Sequence, residues 1–124
     1  MLRHDSRYVR AVELLDAGQP LAALVLIETQ LGEVEERQRS RGRRRWSVTE
    51  RDLRVLHARG LYDTARLGPA ETELRTVLRH RRNDTEAAFA LARVLRRQGR
   101  FAESARWLEE LDSQGHDTWT SDAA

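Results

Sequence analysis

Every fixed positive charge in this chain is an arginine. Its 124 residues hold 22 Arg and no Lys against 20 Asp and Glu, so the net charge is only +2. A guanidinium is planar, stays protonated and grips a carboxylate or phosphate through two parallel N–H donors. Six of the nine residues from 37 to 45 are Arg: Arg37, Arg39, Arg41, Arg43, Arg44 and Arg45, with Trp46 directly after them. Such a run beside an indole can neutralise phosphates and stack on a base. It can equally steer an acidic protein, or be a solvated linker screened by Glu33, Glu35 and Glu36. The sequence pI of 9.9 reports the missing Lys more than a strong field, because nothing basic loses its proton near pH 10.

Catalytic patterns are sparse. His4, His57, His80 and His116 stand far apart and match no metal-ligand spacing. His57 falls on an apolar stripe, which predicts a partly buried core histidine rather than a ligand or base. There is no Cys, no phosphate-cradling glycine loop and no nucleophile elbow. Carboxylate pairs such as Glu109-Glu110 read as surface helix residues. The expectation is a protein that is not an enzyme, with no metal and no cofactor.

The elements that must carry these groups are helical. Ala58 and Ala92, Leu61 and Leu95, Leu67 and Phe101, Ala70 and Ser104, and Leu74 and Leu108 are each 34 residues apart. Ala11, Leu14, Pro20, Ala23 and Ile27 precede the first members of these pairs by 47 residues, which implies an insertion of 13. Apolar spacing predicts helices over 5–17, 20–37, 48–65, 69–80, 85–97 and 101–112. They form three helix–turn–helix units, 4–37, 51–84 and 85–118, with an Arg-rich inserted loop at 38–47. Small residues (Ala11, Ala58 and Ala92 on first helices; Ala23, Ala70 and Ser104 on second) permit close crossings. Gly18 and Gly99 stand where a first helix must stop, and Gly68-Pro69 is expected to do the same work in the middle unit. Ser47-Val48-Thr49-Glu50 has the pattern of a capping box. Phe101 is expected to plug the last turn.

This period and these paired small residues resemble the tetratricopeptide repeat family over roughly residues 4–118. The family's Trp near the start of the first helix is replaced by Arg7, Arg54 and Ala88, and its closing Pro is absent. The resemblance implies an all-α solenoid of three αα-hairpins in a right-handed superhelix. It also implies a concave groove lined by first helices. By register the groove would show Asp5, Tyr8, Val12 and Leu15, then Asp52, Val55, Arg59, Tyr62 and Asp63, then Glu86, Phe89, Arg93, Arg96 and Arg97. Aromatic anchors beside Arg suit an acidic or amphipathic peptide segment of another protein. The expected function is an interaction module or adaptor, with a nucleic-acid-associated factor using the Arg run as the competing reading.

Two further expectations concern the ends. After Leu111 the chain reads DSQGHDTWTSDAA, with Gly115 as a helix stop and 119–124 as a polar tail beyond a domain spanning 1–118. Trp107, Leu108 and Leu111 would then form an apolar stripe. Trp119 could fold over it, a second copy could cover it in a homodimer, or the tail could stay disordered. The longest apolar run, 21–27, is too short for a bilayer span. With no export signal at the N-terminus and no Cys, the expected location is cytoplasmic.

Overall fold

The computed structural model describes residues 5–41 and 46–123, with Arg41 and the last ten of these described by backbone alone. Six helices follow one another: α1 Ser6–Asp16, α2 Pro20–Arg41, α3 Val48–Asp63, α4 Leu67–His80, α5 Thr85–Arg97 and α6 Phe101–Ala123. Among the described residues there is no strand. Each helix packs on the next in sequence, and α3 also meets α1 and α5, so the first helices of the three pairs share one side.

The three hairpin turns are made by the same backbone device. In the first, Gly18 N–H donates to the Leu15 carbonyl and Gln19 N–H to Leu14. Ala65 and Arg66 repeat the pattern onto Tyr62 and Leu61, as do Gly99 and Arg100 onto Arg96 and Leu95. This is the Schellman closure, which requires one residue with positive φ. That residue is Gly18 at 76°, Ala65 at 63° and Gly99 at 83°. The middle turn therefore departs from expectation. Ala65, not Gly68, takes the left-handed position, and α4 starts at Leu67 with Gly68 and Pro69 already inside its first turn. Pro fits there because the first-turn N–H groups have no helical acceptor.

All six small residues at the helix crossings are buried, none more than 3% exposed. Ser104 adds a bond, its Oγ donating to the Ala92 carbonyl at 2.7 Å, which satisfies a hydroxyl that has no access to water. Gly60 lets α2 and α3 approach; a Cβ there would lie 2.7 Å from Leu24 Cδ2. Leu24 accordingly joins the core of the second and third pairs, while Ile27, Leu31 and Val34 pack with Ala11, Leu14 and Leu53.

Two helices run longer than their sequence patterns predicted. α2 continues through 38–41, so Arg37, Arg39 and Arg41 lie on a helix and not in a loop. Glu and Arg are good helix formers, and the added turn is anchored: Glu36 pairs with Arg39, Glu35 with Arg54, and Gln38 donates to Glu50. Arg43, Arg44 and Arg45 lie outside the described residues. α6 likewise passes through Gly115 to Ala123. A lone glycine costs a helix about 1 kcal/mol and leaves the hydrogen-bond ladder intact. The segment read as a tail from 119 is thus helical up to its penultimate residue.

The two ends of the row are finished differently. Ser6, Arg10 and Glu13 are exposed at the register positions of Leu53, His57 and Gly60, and of the buried Ala87, Leu91 and Val94. The first helix is polar on the face where later ones meet a preceding pair. At the other end Leu108 is 39% exposed, whereas its counterparts Ile27 and Leu74 are at 0% and 1%. Phe101 is 65% exposed and so does not plug the last turn, unlike its counterpart Leu67, which packs partly buried against the core.

Candidate functional site

The side shared by α1, α3 and α5 holds a groove of about 610 Å³. Tyr8, Val12, Asp52, Val55, Arg59, Tyr62, Asp63, Glu86, Phe89 and Arg93 all line it. Spacing puts them there. First-helix residues one repeat apart, such as Tyr8, Val55 and Phe89, project from neighbouring parallel helices onto one surface. Arg51 also lines the groove, which sequence reasoning missed. Of the remaining residues assigned by register, Leu15 is buried in the core and Asp5 caps α1, accepting from the Arg7 N–H. Arg96 does not line the groove, and Arg97 reaches it only through Tyr62.

The groove is electrically divided. At the N-terminal turns of α3 and α5, Arg51 is held by Asp52, Asp84 and Glu86 at 2.7–2.9 Å. Tyr8 stands beside them. Burial, then the negative charge of Asp52 and Glu86, pushes its phenol pKa up. At the C-terminal turns, Arg59 bonds Asp16 at 2.8 Å. Arg93 and Arg97 instead lie over the Tyr62 ring, 4.9 and 4.8 Å from its centroid, and Arg97 also donates to the Tyr62 carbonyl at 2.8 Å. Neither forms an ion pair with a carboxylate among the described residues. The electron-rich ring attracts both guanidinia without neutralising their charge. Phe89, 54% exposed, supplies apolar surface beside them.

A second polar constellation lies between α2, α3 and α4. His57 Nδ1 faces Glu73 Oε2, and Nε2 faces Glu28 Oε2 at 3.0 Å. Arg54 touches Glu35, Glu50 and Glu73 at 2.6–3.1 Å. Burial alone would lower the His57 pKa, but the bonds and charge of Glu73 and Glu28 outweigh it and the net shift is upward. Burial would raise Glu73; His57 and Arg54 overcome that and hold it below the usual carboxylate range. With a carboxylate facing each ring nitrogen, the geometry favours the protonated imidazole, which can donate to both. Among the described residues no group of three His, Asp or Glu has a metal-holding arrangement.

Sequence periodicity placed His57 on the core stripe but could not find its partners, because Glu28 and Glu73 lie 29 and 16 residues away. The capping box is half realised. Ser47 Oγ accepts the Glu50 N–H at 3.1 Å, but the Glu50 carboxylate turns inward to Arg54 and Gln38.

Trp46 is not an exposed stacking platform at the end of a loop. It stacks on His80, centroids 3.8 Å apart and 14° from parallel, with the Arg54 guanidinium 5.0 Å over its ring. Trp107 and Leu111 pack half-buried against the main core, leaving Leu108 as the exposed member of that trio. The Trp119 side chain lies outside the described residues. No helix among the described residues is long and apolar enough to cross a membrane.

Comparison with protein-family models, with curated proteins and with solved structures found no match to this chain.

Proposed function

We propose that this chain is a non-catalytic interaction module whose three hairpins form a short tetratricopeptide-like solenoid, a right-handed superhelix that takes a peptide segment of a partner protein in its groove. One observation carries the reading. Arg93 and Arg97 are held on the Tyr62 ring without carboxylate partners among the described residues, beside an exposed Phe89, at one end of a groove whose opposite end is acidic. Buried or self-paired arginines would serve packing; these two are presented. From Glu86 to Arg93 the groove advances about 10 Å, the length of about three residues of extended chain. A segment with a carboxylate at the Arg93 end and an apolar side chain against Phe89 fits this division of charge.

A displayed library of random peptides with free C-termini tests the proposal. Enriched sequences should carry an acidic group next to an apolar residue, and should lose at least tenfold in affinity for Arg93→Glu/Arg97→Glu. Peptides that bind this variant as tightly as the parent would place recognition elsewhere.

A further inference from the structure

We infer a second binding site, for single-stranded nucleic acid, in the open cleft between α4 and α6. It lies away from the α1, α3 and α5 surface and does not depend on the peptide reading. The cleft encloses about 390 Å³ and is lined by Arg75, Leu78, Arg79, Arg82 and Trp107. The tertiary fold makes it, since Trp107 is 25 residues from the nearest of these in sequence.

The charges in the cleft are not all accounted for by the fold. Arg75 is occupied by Glu71 and Glu103 at 2.8 and 2.6 Å. Arg79 donates only to Thr76 Oγ at 3.0 Å, and neither it nor Arg82 has an ion pair among the described residues. A cation in the last turn of α4 complements the helix dipole, which accounts for Arg79. It does not account for Arg82, which lies beyond the Arg81 C-cap. Two available guanidinia thus flank a half-buried indole in an open depression.

A nucleotide presents both complements at once: phosphate oxygens for a guanidinium fork and a flat base for an indole face. An acidic peptide offers the charge without the plane. The surroundings are mixed in charge, since Asp84 and Glu110 line the adjoining hollow that shares Arg82 and Trp107 with the cleft. Trp46 stacks on His80 at the C-terminal end of α4, and the Arg54 guanidinium over its ring pairs with Glu35 of α2. The basic stretch 79–82 therefore shares one end of the molecule with the C-terminal end of α2, which bears Arg37.

A fluorescein-labelled 20-nucleotide oligouridylate, titrated at 50–200 mM salt against a 20-residue polyglutamate, tests the inference. The oligonucleotide should bind more tightly than polyglutamate, with log affinity falling by about 1.4 per log unit of salt if two phosphates are engaged. Arg79→Ala/Arg82→Ala should weaken it at least tenfold. Trp107→Leu, which keeps an apolar contact with the core, should cost about 5- to 150-fold, the loss of one stacked base, and Trp107→Phe should restore part of it. Arg93→Glu should leave this binding unchanged, which separates it from failure of the groove reading. Three results would each overturn the site: no oligouridylate binding, equal binding of polyglutamate with Trp107→Leu silent, or binding removed by Arg43, Arg44 and Arg45→Ala while the cleft variants retain it.

Discussion

Arg51 grips Asp84 with both arms, Nε to Oδ2 and Nη2 to Oδ1, each at 2.7 Å. The same carboxylate caps α5, accepting the Ala87 N–H at 3.1 Å. One carboxylate therefore both caps the third hairpin and ties it to the second. Arg51→Ala should cost about 2–3 kcal/mol in urea denaturation, somewhat less than for a fully buried pair because Glu86 lies in water. Arg51→Lys should recover only part, since an ammonium cannot reproduce the two-armed geometry. Burial would raise the Asp84 pKa, but Arg51 and the Ala87 N–H outweigh it and hold it below the usual value. The stabilisation is present above the unfolded carboxyl pKa near 3.9 and lost as pH falls through the folded value. Parent and variant should thus converge in stability in acid.

The His57 bridge has the opposite sign. Its folded pKa is raised, so its contribution is full below the unfolded value of about 6.5 and disappears as pH rises through the folded one. The urea midpoints of the parent and His57→Gln should differ most near pH 6 and approach each other toward pH 9. A gap that stays constant across that range would show that the imidazole contributes by packing alone.

Ala65 occupies a turn position that glycine fills in the other two hairpins. A left-handed alanine costs roughly 1–2 kcal/mol, and glycine's extra freedom in the unfolded chain offsets roughly 0.5–1 of it. Ala65→Gly should raise the midpoint of thermal unfolding, by a net stabilisation of about 0.5–1 kcal/mol. A lower midpoint would mean that the Cβ makes a contact worth more than the strain.

Phe89 and Leu91 stand two residues apart on α5 and should behave in opposite ways. Phe89→Ser should change stability by less than about 0.5 kcal/mol, as for an exposed residue, while weakening capture of any peptide selected on the groove. Leu91→Ala, at a fully buried position, should cost about 2–5 kcal/mol. A large loss of stability in Phe89→Ser would make that ring a packing residue.

The residues themselves determined the helical class and the register of the hairpins. Those features rest on local chemistry: apolar spacing near 3.6, small residues at crossings, and glycines able to take positive φ. Ala11, Ala58 and Ala92 could be aligned by counting, and all three are buried. Most of the groove lining was legible for the same reason, because residues at matching register positions project onto one surface, but Leu15, Arg96 and the unforeseen Arg51 were not. Tertiary structure alone decided the pairing of charges. With 22 Arg and 20 acids in one chain, composition permits very many ion pairs. Only packing chose Arg51 with Asp84, bridged Glu28 to Glu73 through His57, and left Arg93 on an aromatic ring. Helix ends escaped the sequence for a related reason. Gln38 and Glu35 reach across to α3 and extend α2, a contact no local pattern can encode. Coulomb attraction acts through space between residues far apart in the chain, so the electrostatics of the groove and of the α4–α6 cleft became visible only once the helices were side by side.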